Sequence, residues 1–134
     1  MDLLERAKVL LNDSGASFVA VKEGEEHISN DKGIAPILKI LDETPGFLKG
    51  AFVADKVIGK AAALLLQYAG VERLYARTLS QLAVQVLDDS FMTYEYDQLV
   101  PNIINRTGDG MCPMELKVLE ISDPTEAYKL LSGK

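Results

Sequence analysis

The order of secondary-structure elements in this sequence predicts an α/β fold, a three-layer α/β/α sandwich around a mixed five-stranded sheet. Two observations predict it. A helix pattern and a strand hairpin come first, and strands then alternate with helices along the rest of the chain. Strands that alternate with helices form right-handed crossovers in a parallel sheet with helices on its faces. The N-terminal hairpin adds antiparallel pairing to that sheet.

The first elements are a helix and the hairpin. Residues 2–13 carry leucine and alanine at helical spacing, so they predict an amphipathic helix. Residues 17–22 and 26–29 are strand-like segments on either side of a turn at 23–25. This pairing predicts the antiparallel edge of the sheet.

A short helix, a buried strand and a longer helix come next. Residues 33–41 predict a helix with Pro36 in its first turn, where proline is tolerated. Residues 50–54 are small and apolar, which is typical of a strand buried on both faces. Asp55 then predicts the cap of a helix over residues 56–68.

The second half of the chain continues the alternation. Residues 73–77 and 92–96 predict two strands, and Ser80 predicts the cap of a helix over 81–87 between them. The remaining helical segments are a single turn and two helices, at residues 101–104, 113–119 and 124–131.

Length and composition are those of one domain, spanning residues 1–134. A chain of 134 residues buries about two-thirds of its unfolded surface on folding. No apolar run approaches the ~20 residues of a membrane span, and the acidic, amphipathic start does not resemble a signal peptide. A single cysteine excludes an internal disulfide framework and fits a reducing compartment. We therefore expect a cytoplasmic protein with no membrane partner.

The charge balance argues against nucleic-acid binding. Twenty acidic residues against fourteen basic ones give a net charge of −6, which phosphate backbones repel. The sequence also lacks a basic stripe with interleaved aromatic residues. A small anionic ligand is still compatible with this charge, because its site depends on local amides and one lysine.

The only cysteine lies in the first of two segments with potential for chemistry. Cys112 stands at a predicted helix start, followed by Pro113 in the first helical position. Helix N–H groups there favour a thiolate, so Cys112 is either a nucleophile or ligand contact, or a buried, inert cap residue. Glu115, in the same first turn, either reaches back to the cap amide or acts as a general acid.

The second such segment is the strand-to-helix junction at residues 55–60. Asp55 is either a helix cap or a ligand contact. Gly59 is less favourable than alanine by about 1 kcal/mol in a helical turn, so a ligand or a neighbouring helix should approach it closely. Lys60 either pairs with Asp55 or Glu115, or binds an anion.

Both segments should meet at one edge of the sheet. Ligands of such sheets bind beyond the carboxyl ends of the strands, and both predicted helix starts follow strands. The loop ahead of Cys112 contains Asn105 and Arg106. Arg106 either clamps a carboxylate or phosphate group over this edge, or is a solvated surface residue.

Three segments together resemble a small bacterial family of unknown function: residues 54–63, Asn105-Arg106 and residues 112–115. The resemblance implies a cytidine deaminase-like fold without the deaminase metal site. True deaminases place His-x-Glu and Pro-Cys-x-x-Cys at two helix starts, where this chain has residues 32–36 and 55–60. Catalytic zinc needs about three protein ligands, and His27 and Cys112 are the only histidine and cysteine. We therefore expect no metal or cofactor and no zinc-dependent deamination.

Three functions are compatible with these residues. The first is a metal-free domain that binds a small polar or anionic molecule, nucleotide- or sugar-like, through six residues: Asp55, Gly59, Lys60, Asn105, Arg106 and Cys112. The second is an enzyme with Cys112 as nucleophile and Lys60 or Glu115 in proton transfer. The third is a regulatory or scaffolding protein without chemistry, for which a homodimer is expected.

Overall fold

Five strands form one mixed sheet in the computed structural model, which describes residues 2–134. The strands are β1 (Phe18–Lys22), β2 (Glu25–Ser29), β3 (Phe52–Ile58), β4 (Arg73–Ser80) and β5 (Thr93–Val100). Their order across the sheet is β2-β1-β3-β4-β5. Strand β1 pairs antiparallel with β2 and β3, whereas β3, β4 and β5 are parallel. The predicted mixed sheet with its N-terminal hairpin is confirmed.

Six helices accompany the sheet within residues 2–134. They are α1 (Leu3–Ser14), α2 (Ala35–Glu43), α3 (Lys60–Ala69), α4 (Gln81–Asp88), α5 (Pro113–Lys117) and α6 (Pro124–Ser132). The predicted order of helices and strands is confirmed. None of these helices combines the length and the apolar character needed to cross a membrane.

The sheet has a hydrophobic core on each face. Helix α1 packs its buried Leu4, Ala7 and Leu11 against one face, where Val19 and Ala54 lie. The larger core on the other face includes the first two turns of α3, which are buried at every position from Ala61 to Leu66. Because α3 is enclosed by helices and sheet, its N-terminus is held at a fixed position at the carboxyl end of β3.

The junction between β3 and α3 differs from the prediction. Strand β3 continues to Ile58 and α3 begins only at Lys60, so Asp55 does not cap the helix. Asp55 lies within the strand, opposite Phe18 of β1. Pairing with both neighbouring strands overrides the weak strand preference of aspartate and lysine, which suggested a helix cap.

Other predicted elements also differ from the structure. Residues 101–104 do not form a helical turn; Ile104 instead bridges Met111, which closes the loop before α5. Helix α5 ends at Lys117. Strands β4 and β5 extend to Ser80 and Val100, because their parallel pairing continues that far. Ser80 does cap α4, and its hydroxyl accepts from the Leu82 amide at 3.1 Å.

Candidate functional site

A cavity of about 250 Å³ lies where β3 ends and α3 begins. Its walls come from residues 32–34 ahead of α2, the end of β3, the first turn of α3 and the segment from Ile103 to Glu115. Asp55, Gly59, Cys112 and Glu115 all contribute to these walls. The structure therefore brings both chemically interesting segments of the sequence to one site, as the position of the two helix starts predicted.

Asp55 is the most unusual group in this cavity. Its side chain is only 5% exposed, and Oδ1 accepts from the Val57 amide at 3.3 Å. Oδ2 is buried and has no hydrogen-bond partner within residues 2–134. Burial raises the pKa of Asp55 to about 8, against the opposite effect of the Val57 and Lys56 amides. At neutral pH the carboxyl group is therefore mainly protonated and can donate a hydrogen bond.

Glu115 joins the two segments. It is 1% exposed, and its Oε2 accepts from the Lys60 amide at 2.7 Å while Oε1 accepts from the Ile103 amide at 2.6 Å. The carboxylate thus caps α3 from outside, where a negative charge is favoured by the helix dipole. The prediction that Glu115 reaches back to its own cap amide is wrong, since the Cys112 amide donates to the Ile103 carbonyl.

Gly59 is the residue against which this carboxylate packs. Its backbone angles, φ −100° and ψ −175°, are open to any residue. A Cβ at this position would lie 3.0 Å from Glu115 Cδ and Oε2 and from Ile103 Cγ1. The sequence left open whether a ligand or a neighbouring helix approaches Gly59. The structure shows that the segment containing Ile103 and Glu115 does so.

We expect Gly59→Ala to destabilise the protein by about 1–3 kcal/mol, because the added methyl group displaces Glu115 or Ile103. Urea denaturation at neutral pH measures the change. Gly110→Ala is the matched control, since a Cβ there meets only Asn105 Nδ2, at an ordinary 3.5 Å. Equal stability of the two variants would contradict the tight packing at Gly59.

Lys60 contributes to the site through its backbone amide rather than its side chain. Its ammonium group donates to the Leu119 carbonyl at 2.7 Å. Lys60 is not among the described residues that line the cavity, and within residues 2–134 it forms neither of the predicted ion pairs with Asp55 and Glu115. Its contribution to the site is the amide that Glu115 caps.

Asn105 and Arg106 are also absent from the described residues of the cavity wall. Asn105 organises the loop instead: its Oδ1 accepts from the Gly108 amide at 2.9 Å, and its Nδ2 donates to Asp109 at 3.1 Å. Arg106 is exposed. A role for either residue in ligand binding would therefore require the loop to move.

Cys112 borders the cavity from the segment that leads into α5. It is half-buried, its thiol is free, and it occupies the N-cap position of α5. Helix α5 has only five residues, so its dipole is a weak source of thiolate stabilisation. Within residues 2–134, no cluster of three His, Cys, Asp or Glu side chains could hold a metal ion.

Two lysines at the cavity were missed as site residues. Lys32, which is exposed, and Lys56, which is half-buried, both line it. Neither forms an ion pair with another residue in the described part of the chain. Both lie at the start of a predicted helix, in residues 32–36 and 55–60, and that position could have indicated them as cavity residues.

The fold and this cavity define a small α/β domain with a largely apolar pocket, bordered by Asp55 and Glu115, at the carboxyl ends of its parallel strands. The chain belongs to the family described as Domain of unknown function (DUF1893), whose model matches residues 6–134. This confirms the expected family of unknown function. The chain is similar to a DUF1893 family protein (TM1506) from Thermotoga maritima, known from a crystal structure at 2.70 Å resolution. The two are 29% identical with a TM-score of 0.89, over 98% of this chain and 88% of that one. No curated protein matches the chain.

Proposed function

We propose that this protein is a small-molecule-binding domain whose ligand enters the cavity and hydrogen-bonds to Asp55. The observation that carries the proposal is the Oδ2 atom of Asp55, a residue that lines the cavity: this atom is buried and has no hydrogen-bond partner in residues 2–134. A buried polar group without a partner costs about 1–3 kcal/mol. A ligand atom at hydrogen-bond distance from Oδ2 would remove that cost.

The size of the cavity limits the ligand. Its volume of about 250 Å³ is slightly below the roughly 300–1,000 Å³ of sites for drug-sized molecules. Apolar side chains such as those of Ile34, Ile103 and Met114 supply much of the wall. We infer a ligand smaller than a nucleotide, comparable in size to a nucleobase or a simple sugar. The cytidine deaminase-like fold belongs to the same proposal, supported by the order of elements and by the three segments of resemblance.

A thermal-shift screen of nucleobases, sugars, sugar phosphates and amino acids tests this function. A ligand of the cavity stabilises the wild type by mass action, and Asp55→Ala, which removes the hydrogen-bonding group, should weaken binding of that ligand by roughly tenfold or more. Asp13→Ala, an exposed change on α1, is the control and should leave the shift intact. A complete absence of hits, or hits that Asp55→Ala leaves unchanged, would contradict the proposal.

A Cys112-dependent enzyme is the second candidate, favoured by one observation. Cys112 and the protonated Asp55 border the same cavity, which is an arrangement of nucleophile and acid. Lys60 and Glu115, which the sequence predicts as proton-transfer groups, are engaged elsewhere: the Lys60 ammonium donates to the Leu119 carbonyl, and both oxygens of Glu115 accept from amides. Asp55 is therefore the better acid.

Alkylation by iodoacetamide across a pH series distinguishes this enzyme from a binding domain. A nucleophilic Cys112 should react rapidly even at mildly acid pH, and Cys112→Ser should abolish the labelling. A rate that is high only in alkaline solution would exclude this second candidate.

The cytoplasmic location and the homodimer also stay proposals. Leu130 of α6 and Leu116 of α5 are 46% and 54% exposed, so they offer apolar surface to a second copy. Size-exclusion chromatography with light scattering tests the dimer.

A further inference from the structure

We propose that the ligand is a small organic acid that binds with its uncharged end inside the cavity, where a carbonyl-type acceptor meets Asp55, and with its acidic group at Lys32 and Lys56. This inference rests on the proposed binding function and names the chemical class of the ligand.

The interior disfavours a second negative charge. The N-terminus of α3 would attract an anion, but the buried carboxylate of Glu115 already occupies that position. A ligand anion placed beside it would be repelled at close range in surroundings of low dielectric constant. The part of the ligand that lies beside Glu115 should therefore be neutral.

The interior instead offers hydrogen-bond donors. Asp55 supplies an O–H group in its protonated form. The first amides of a helix have no acceptor within the helix, and in α3 Glu115 accepts only from that of Lys60. Ala61 and Ala62, which follow, both line the cavity, and their amides have no acceptor within residues 2–134. An uncharged oxygen acceptor fits these donors.

The two lysines supply the complementary charge. Lys32 and Lys56 come from different segments of the wall and retain more exposure than the interior residues. Among the described residues neither forms an ion pair, so the protein does not neutralise either ammonium charge. A carboxylate paired with these lysines would remain partly hydrated, because Lys32 is exposed and Lys56 is half-buried. The cavity thus selects a molecule with one neutral and one anionic end.

Three probes built on five-membered rings test this polarity. 2-Pyrrolidinone carries the ring carbonyl without a charge, cyclopentanecarboxylate carries the carboxylate without a ring carbonyl, and 5-oxopyrrolidine-2-carboxylate carries both. Binding is followed at neutral pH by NMR through the backbone amides of Ala61 and Ala62. The oxo acid should bind about 5–10-fold more tightly than the neutral lactam, as expected for one or two exposed ion pairs. Lys32→Ala/Lys56→Ala should remove that advantage and leave the affinity for 2-pyrrolidinone unchanged. Lys129→Ala, an exposed lysine on α6, is the control.

The possible outcomes distinguish a failure of this inference from a failure of the proposed binding function on which it rests. Equal affinities of the two lactams, or tightest binding of cyclopentanecarboxylate, would overturn the proposed polarity while showing that the cavity binds small molecules. If none of the probes shifts the Ala61 and Ala62 amides, the organic-acid class is overturned. The proposed function would then depend on the thermal-shift screen alone.

Discussion

Asp55→Asn should remove much of the pH dependence of stability and make the protein more stable than the wild type in alkaline solution. In the folded state burial raises the pKa of Asp55 to about 8, whereas its ordinary value is 3.8. Between these two values the folded state binds a proton that the unfolded state has released. Stability therefore falls as the pH rises through this range, by up to about 1.4 kcal/mol per pH unit.

The expected difference is large for a domain of this size. A loss of several kcal/mol between pH 5 and pH 9 is a substantial fraction of the roughly 5–15 kcal/mol that stabilises a typical domain. Asparagine has nearly the same shape as the protonated acid and no charge to bury. The variant should therefore retain at alkaline pH the stability that the wild type has lost.

Urea denaturation at a series of pH values measures this effect as the difference between variant and wild type. The difference is the useful quantity, because four other ionisable residues border the cavity: Lys32, Lys56, Cys112 and Glu115. Asp13→Asn, which changes an exposed carboxyl group, should run parallel to the wild type. The opposite result is a wild type that gains stability relative to Asp55→Asn as the pH rises from 5 to 9. It would show that Asp55 is ionised in the folded state.

The fold could be predicted from the sequence because its signals are local. Periodic apolar residues, turn residues and the serine that caps α4 each act within a few positions, and they establish the order of elements. The end of β3 is one of the exceptions. Asp55 has low strand preference, and its pairing with Phe18 of β1 and Ala76 of β4 keeps it in the strand. Such pairing involves residues far apart in sequence, which periodicity does not reveal.

The same distinction explains which parts of the site could be predicted. That Cys112 and Gly59 share one edge follows from the rule for carboxyl ends of strands, and the close approach at Gly59 follows from its unfavourable place at a helix start. The direction of a long side chain does not follow from such rules. Lys60 turns to the Leu119 carbonyl, 59 residues away in sequence, which no local pattern indicates.

Glu115→Ala should be among the most destabilising single substitutions in the protein, at about 3 kcal/mol or more. The change removes two hydrogen bonds to a charged acceptor, each worth roughly 1.5–3 kcal/mol. It also leaves the partly buried amides of Lys60 and Ile103 without their acceptors. Glu115→Gln should lose about half as much, since its amide group has one oxygen to accept and one nitrogen that cannot.

Chemical denaturation measures both variants, with Glu120→Ala as an exposed control that should change stability little. A cost for Glu115→Ala as small as that of the control would show that the cap on α3 contributes nothing.

A double-mutant cycle of Glu115→Ala and Gly59→Ala measures the energetic coupling between these two residues. Since the Cβ of an alanine at position 59 would lie 3.0 Å from the Glu115 carboxyl group, removing that group should reduce the cost of the alanine. The two changes should therefore be non-additive by about 1 kcal/mol or more, whereas sites without contact add within about 0.5 kcal/mol. Additive costs would show that the two side chains are not in contact.

Loss of Glu115 should also loosen the cavity wall, because its carboxylate links Ile103 to the start of α3. Its loss should speed hydrogen exchange at the Lys60 and Ile103 amides before the core unfolds.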